Sequence, residues 1–223
     1  MPKQPRIHSL TLGMAQAYLI ESSEGLVLLD AGSPGHEQKV INKMGELERS
    51  DLCLIFITHA HLDHYGSAAA LRRLTGAPIA IHDADAEAMA NGETHLGSAR
   101  GRGRLLPPVF SLVKRFIKTE PTSPDIVMSD GDSIEKYGLA ARLLHTPGHT
   151  AGSSSLIVSE KIAFVGDLMT NRDRPRLQRL YAQDWSGLAE SLNRLQKLDP
   201  SLVYPGHGKK PISNLELHSL VIP

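Results

Sequence analysis

The chain has a single cysteine, no net charge and no long apolar run, and each absence closes off a class of protein. Cys53 alone rules out an intrachain disulfide, and its place inside the apolar run 52–57 marks it as a buried thiol rather than a reactive one. Lysine plus arginine and aspartate plus glutamate each number 24, so the formal charge is zero. That leaves no overall basic field of the kind that draws nucleic-acid binders to phosphates. No apolar stretch approaches membrane-spanning length, and residues 1–10 lack the apolar core of a secretion signal, so neither a membrane nor export is expected and a cytoplasmic location is. What remains is 223 residues, 41% hydrophobic and 22% charged, a composition with ample material for a globular core.

What the chain does have is a patterned set of histidines and aspartates. The densest group is Thr58-His59-Ala60-His61-Leu62-Asp63-His64, straight after the apolar run 52–57, which reads as a buried strand. Three more candidates stand in similar settings: His149 in Thr146-Pro147-Gly148-His149-Thr150, Asp167 in Phe164-Val165-Gly166-Asp167-Leu168, and His207 in Pro205-Gly206-His207-Gly208. Each follows a strand-like run, where a sheet can aim side chains into one cleft. A single histidine after a strand is usually structural. Four ligand-type residues within seven positions, with three more at strand ends, do not fit that reading. The other histidines lack this support: His8, His36, His95 and His218 read as surface residues, while His82 and His145 follow strand-like runs and could support a site without belonging to it. Asp30, at the end of a strand in Asp30-Ala31-Gly32, reads equally as a cap or as a group that orients a ligand.

Two strand-rich halves carry these residues. In the first, 15–21 and 26–31 read as strands joined by the hairpin turn Ser22-Ser23-Glu24-Gly25, 36–47 as a helix with Val40, Ile41, Met44 and Leu47 on one face, and 64–74 as a helix with Ala68, Leu71 and Leu74 inward and Gly76 beyond its end. Residues 78–82 read as a strand and 84–90 as a helix. In the second half 138–145, 153–158 and 161–165 read as strands, 184–198 as a helix capped by Asp184, and 202–204 as a last strand. Strands followed by a helix, twice, imply two sheets packed face to face with helices outside, although no sequence repeat underlies the symmetry. Residues 91–124 interrupt the pattern with the basic, glycine-rich 100–104 and an amphipathic stretch marked by Val109, Leu112, Val113, Phe116 and Ile117. A lid beside the cleft is the expected role, with Leu105, Leu106, Phe110 or Phe116 offering apolar contacts to substrate.

The spacing carries the chemistry. Residues two apart in an extended chain point the same way, roughly 6.5–7 Å apart. His59 and His61 can therefore reach one ion from a single segment, with His149 arriving from the other half. Asp63 and His64 lie where the chain turns into a helix and can face a second ion with His207, and Asp167, with two oxygens, can bridge the pair. Imidazoles and carboxylates without thiolate suit zinc, with iron or manganese allowed. Two divalent ions, two carboxylates and a bridging hydroxide leave one net positive charge to hold an ester carbonyl under attack. Metal lowers the pKa of water to about 7, so the hydroxide forms at neutral pH and no side-chain nucleophile is required.

This pattern resembles the metallo-β-lactamase superfamily. The likeness runs through His59-x-His61-x-Asp63-His64, His149, Asp167, His207 and the Asp30-Ala31-Gly32 strand end, with the flanks TPGHT, FVGD and PGHG, and so spans nearly the whole chain. It implies an α/β fold, a four-layer αβ/βα sandwich forming one domain over 1–223. It also implies His59, His61 and His149 on the first ion, Asp63, His64 and His207 on the second, Asp167 between them, and Asp63 and Asp167 as the catalytic carboxylates. Departures narrow the choice. True β-lactamases of the superfamily carry cysteine or serine where Asp167 stands. The chain is more similar to the glyoxalase II and lactonase branches, yet the segment after His207 is too short for a glutathione-gripping helical domain, and 168–173 lacks the glutathione-binding pattern. The same absence disfavours persulfide dioxygenases, and nucleases of the superfamily need a further domain. The expected activity is a dinuclear metal-dependent hydrolase that uses a metal-bridging hydroxide on a small ester-like substrate: a lactone, thioester or phosphoester. The runners-up are an iron-dependent oxidoreductase on the same scaffold and a β-lactamase. A non-catalytic binding module is the weakest, since no ligand is missing. The expected partner is a small-molecule substrate, with no nucleic acid and no membrane, and a homodimer stays open.

Overall fold

Uninterrupted apolar runs, rather than alternating ones, mark strands buried on both faces, and the computed structural model, which describes residues 5–101 and 119–220, shows why they occur here. Strands β1 (Ile7–Leu12), β2 (Ala15–Glu21) and β3 (Leu26–Leu29) form an antiparallel meander. Its second turn is closed by the Ser22 N–H donating to the Gly25 carbonyl at 2.9 Å. Helix α1 (Glu37–Glu46) crosses to β4 (Leu52–Phe56), parallel to β3. Helices α2 (Leu62–Tyr65) and α3 (Ala68–Thr75) lead to β5 (Ile79–His82), followed by α4 (Asp83–Ala90). After the two-residue β6 (Ser98–Ala99), β7 (Ile126–Met128) completes a six-stranded sheet in the order β1-β2-β3-β4-β5-β7.

The second half starts with β8 (Ala141–His145), β9 (Ser154–Val158) and β10 (Ile162–Phe164). The short β11 (Met169–Thr170), β12 (Arg176–Leu177) and β13 (Tyr181–Ala182) precede α5 (Trp185–Leu198), β14 (Leu202–Tyr204), β15 (Ile212–Ser213) and α6 (Asn214–His218). The second sheet runs β15-β14-β10-β9-β8. Between the sheets, Tyr18, Ile20, Val27, Leu54 and Phe56 meet Leu143, Leu156, Val158 and Phe164. The outer face of the first sheet packs Leu28, Ile55 and Ile57 on Val40, Met44, Leu71 and Met89 of its helices. The outer face of the second packs Ile157, Ala163 and Val203 on Leu188, Leu192 and Leu195 of α5. Helix, sheet, sheet, helix: this is the four-layer αβ/βα sandwich expected from the sequence.

The structure corrects several local expectations. The helix read over 64–74 is two helices. The chain breaks at Gly66, where a Cβ would lie 2.3 Å from the Leu62 carbonyl oxygen and 2.4 Å from the Pro34 ring, so only glycine admits that contact. Leu74, expected inward, is 59% exposed in the last turn of the second helix, whose buried face is Ala68, Ala69 and Leu71. The strand read over 26–31 stops at Leu29, since Asp30 adopts a left-handed φ of 58°. Edge strand β1, with polar residues at half its positions, and β7, apolar but only three residues long, do not announce themselves. The terminal α6 has a readable signal that the helical spacing alone passes over: Ser213 and Glu216 form a capping box. Cys53, expected buried, is half-buried, and its thiol donates to the Leu26 carbonyl at 3.2 Å. Of the stretch 91–124, the described parts place β6 against β13 beside the cleft. Leu105, Leu106, Phe110 and Phe116 lie outside the described residues.

Phe164 is fully buried between the sheets, stacked on Tyr204 at 4.9 Å and 5.1 Å from Tyr18. Phe164→Ala is expected to cost about 3–5 kcal/mol of stability, read as a lowered urea midpoint. A loss under about 1 kcal/mol would show that the sheet interface does not depend on this ring.

Candidate metal centre

The parallel strands β3 and β4 end side by side, and β10 and β14 end across from them in the other sheet. The loops leaving β4, β10 and β14, with the β8–β9 loop that carries His149, bring all seven sequence-selected residues together. Ligand-type atoms of His59, His61 and His149 lie within 4.8 Å of one another, as do those of His59, His64 and Asp167 and those of Asp63, His64 and His207. Asp167 stands between the two ends of the cluster. Its Oδ2 is 3.5 Å from His149 Nε2 and 3.2 Å from His207 Nε2, and its Oδ1 is 3.3 Å from His64 Nε2. Asp63 Oδ2 lies 3.5 Å from His207 Nε2. Close approach of these loops requires glycine at Gly206, where a Cβ would fall 2.6 Å from Asp167 Oδ1, and at Gly166, where it would fall 2.6 Å from Thr58 Oγ1.

Each imidazole has one nitrogen committed away from the cluster. His61 Nε2 donates to the His95 carbonyl at 3.1 Å, His149 Nδ1 to the Tyr181 carbonyl at 3.4 Å, and His207 Nδ1 to the Met14 carbonyl at 2.9 Å. A carbonyl can only accept, so in the neutral form of each ring the opposite nitrogen presents a lone pair inward. His64 Nδ1 donates to Asp30 Oδ2 at 2.8 Å. The Thr58 hydroxyl donates to the same Asp30 oxygen at 3.0 Å and accepts from His59 Nδ1 at 3.0 Å, while the Thr58 N–H donates to Asp30 Oδ1 at 2.8 Å. Asp30 therefore orients His59 and His64 together, and of its two sequence readings the orienting one holds. Among the described residues, His59 Nε2, His64 Nε2 and Asp167 Oδ1 are buried with no hydrogen-bond partner. Buried polar atoms are normally satisfied, so unpartnered atoms that face one spot, in a set of imidazoles and carboxylates, fit a divalent cation.

Electrostatics separates the rings into two kinds. Burial lowers the pKa of His59, His61 and His149, the last to about 3, so these rings are neutral. Burial alone would also lower His64, but Asp30, Asp167 and Asp63 outweigh it and hold that ring well above the ordinary histidine value. His207 is raised against its burial by Asp167. Burial works against ionised Asp167 too, yet the charges of His207 and His64 keep its carboxyl well below the usual range.

Two further residues belong to this site that sequence reasoning passed over. Asp85, on α4 and buried, accepts from the Ala60 N–H at 2.8 Å, the Thr150 hydroxyl at 2.8 Å and the Gly152 N–H at 2.7 Å. It clamps the loop that carries His59 and His61 to the loop that carries His149. Nothing in its local sequence distinguishes it from a helix-start carboxylate. Tyr181, whose ring lies 5.2 Å from His149 and 6.0 Å from His61, has its hydroxyl pKa pushed up by burial and by Asp167, so it stays an O–H donor. His82 and His145 stack on each other at 3.9 Å outside the cluster, with His82 capping α4. His95 and His218 are exposed and His8 and His36 half-exposed, and none joins the cluster. A cavity of about 450 Å³ opens on the cluster, walled by Leu62, Leu96, Leu180 and Tyr181 with Asp63 and Asp167 at its floor.

A family model described as the metallo-beta-lactamase superfamily matches residues 10–207. The chain is 28% identical over 202 residues to "Probable metallo-hydrolase MJ0888" of Methanocaldococcus jannaschii, covering 87% of this chain and 88% of that one. It is 24% identical over 226 residues to "Probable metallo-hydrolase YflN" of Bacillus subtilis, covering 91% and 83%. Among solved structures, TTHA1623 in a di-iron-bound form superposes with a TM-score of 0.72 at 25% identity, covering 95% of this chain and 97% of that one. The BLEG-1 B3 metallo-beta-lactamase superposes with a TM-score of 0.75 at 22% identity, covering 95% of each, a likeness of fold.

Two outcomes follow from the geometry. Asp30, Asp167 and Asp63 hold protons on His64, and Asp167 on His207, to higher pH than on His59, His61 and His149, and a metal must displace them. Loading metal-free protein with zinc should release protons, measured by calorimetry in buffers of different ionisation enthalpy across a pH series, and affinity should rise with pH until both rings are neutral. Metal affinity that does not change with pH, with no proton released on loading, would contradict the assignment. Asp85→Ala should weaken metal binding by roughly 10–100-fold, with the loss confined to the end held by His59, His61 and His149. Unchanged metal affinity in that variant would reduce Asp85 to a packing role.

Proposed function

The chain belongs to the metallo-beta-lactamase superfamily, and from that premise we propose that it is a hydrolase of a small ester-like substrate (a lactone, a thioester or a phosphoester) working with two divalent metal ions, preferably zinc. The observation that carries this reading is the convergence of seven ligand-type side chains whose rings each have their other nitrogen tied elsewhere. His59, His61 and His149 would hold one ion and Asp63, His64 and His207 the other, with Asp167 between them. When bound, the ions would polarise the scissile carbonyl or phosphoryl group and lower the pKa of water to about 7. Two relatives named as metallo-hydrolases and the di-iron form of TTHA1623 support hydrolysis and a pair of ions.

The chain's own residues supply the rest. Asp63, the more exposed of the two cluster carboxylates that line the cavity, would take a proton from the attacking water and return it to the leaving group. Asp167, buried and with its carboxyl held well below the usual range, would be shared between the two ligand sets and help hold both ions. The Tyr181 hydroxyl stays protonated and can donate to the oxygen that gains charge during attack. Leu62, Leu96 and Leu180 would give the substrate apolar walls beside the reacting bond. Among the described residues, no serine or cysteine lines the cavity. Cys53 sits on β4, bonded to the Leu26 carbonyl, and burial pushes its thiol pKa up. A second reading, an iron-dependent oxidoreductase on the same scaffold, has one observation in its favour, the di-iron form of the TTHA1623 relative. Iron in protein purified without added metal, with oxygen consumed in turnover, would select it.

Asp167→Asn should preserve the fold but lower metal content and cut turnover about 10²–10⁴-fold across a screen of lactones, thioesters and phosphoesters. Chelation should abolish the parental activity and added zinc restore it, while Cys53→Ser keeps nearly the parental rate. Full activity in metal-free protein, or an acyl group trapped on any serine or cysteine, would overturn the proposal.

A further inference from the structure

Two cavities meet beside the metal cluster, and their walls differ in chemistry. The larger, about 450 Å³, has mostly apolar walls, with Leu62, Leu96, Leu180 and Tyr181 beside the polar Arg176, Gln178 and Arg179, and reaches Asp63 and Asp167. The second, about 400 Å³, is lined instead by Gln16, Asn171, Arg172, Lys209 and Lys210. Met14, Arg172 and Asp173 belong to both and form the ridge between them. Arg172 Nη2 lies 3.0 Å from His207 Nδ1, so this ridge touches the cluster itself.

The basic cavity is held on a fixed frame. The Asn171 N–H donates to the His207 carbonyl at 2.7 Å, and its side-chain amide donates to the Lys210 carbonyl at 3.1 Å. Gly208, with φ 107°, allows the turn to press on Asn171, where a Cβ would lie 2.0 Å from the carbonyl oxygen. The backbone that bears Arg172, Lys209 and Lys210 is thereby pinned around one groove. Asp173, the only acid in its wall, is occupied by Arg176 at 2.6 Å. Among the described residues no carboxylate lies within 4.0 Å of Arg172, Lys209 or Lys210. Three uncompensated cations exceed what one carboxylate would neutralise and match a phosphate, which takes both a guanidinium and ammonium point charges.

We propose that the substrate is bipartite: an apolar acyl group in the larger cavity, joined through an ester or thioester bond at the cluster to a leaving group whose phosphate lies over Arg172, Lys209 and Lys210. This deepens the hydrolase reading and rests on it. Water adds across the acyl bond. A new C–O bond forms to the acyl carbon, the bond to sulfur or oxygen breaks, and the released thiol or alcohol takes a proton from the water.

The test separates phosphate recognition from hydrolysis. Calorimetry on metal-loaded protein compares coenzyme A with pantetheine, which share the thiol and differ in the phosphate-bearing part. Coenzyme A is expected to bind at least about tenfold tighter, the difference shrinking with added salt and vanishing in the charge-reversed Lys209→Glu/Lys210→Glu variant. In parallel, kcat/KM for octanoyl-coenzyme A should exceed that for S-octanoyl-N-acetylcysteamine by a similar factor, and the ratio should fall toward one in the same variant. Equal binding of the two thiols, or a preference that survives charge reversal, overturns the bipartite assignment. A salt-sensitive preference for coenzyme A with neither thioester cleaved keeps the phosphate groove and removes thioester hydrolysis.

Discussion

The carboxylate of Asp30 is the interaction on which the metal-site geometry depends. It is buried at the end of β3, 1% exposed, and accepts three hydrogen bonds: from the Thr58 amide, the Thr58 hydroxyl and the His64 ring. Through Thr58 it also fixes the ring of His59. One side chain thus sets the orientation of a histidine in each triad. It does so from a left-handed backbone conformation, φ 58°, which a residue with a Cβ adopts at a cost of order 1–3 kcal/mol. The strain is placed where it aims the carboxylate across the ends of two adjacent parallel strands, a direction that a continued strand would not provide.

The same economy appears on the opposite side of the cluster. Asp85 is a second buried carboxylate that faces no metal-type atom and instead ties the 59–61 loop to the 149–152 loop. The two loops leave different sheets, so the relative position of His61 and His149, 3.0 Å apart at their facing nitrogens, is a property of how the sheets pack. The inner core of Tyr18, Leu54, Phe56 and Phe164 fixes that packing. Core, clamp and cluster are therefore one mechanical chain. Hydrophobic burial sets the sheet spacing, buried carboxylates set the loops, and the loops gather the seven ligand-type side chains into one cluster.

Beyond the cluster, the division between an apolar and a basic cavity separates two tasks. The apolar walls shape the reacting end. The groove at Arg172, Lys209 and Lys210 stays open, where charge attracts a ligand before any close contact is made. The net charge of the chain is zero, so this attraction is local and not a field of the whole molecule.

The sequence by itself determined the seven cluster residues and the layered fold. Ligands set two apart and placed after apolar runs have one economical use, and runs buried on both faces require layers on both sides. Period and composition report burial, which is why β2, β3, β4, β9 and α5 were legible. They do not report long-range hydrogen bonds, and so Asp85, whose partners lie 25, 65 and 67 positions away, looked like any acid at a helix start. The split of the 64–74 helix at Gly66 was hidden for the same reason, since the chain that crowds it, at Pro34, comes from another loop. Which of its two readings Asp30 takes, how Tyr181 reaches the histidines and how Arg172, Lys209 and Lys210 come to share a groove were likewise decided only in three dimensions. Each depends on segments that the fold, not the order of residues, brings within a few ångströms.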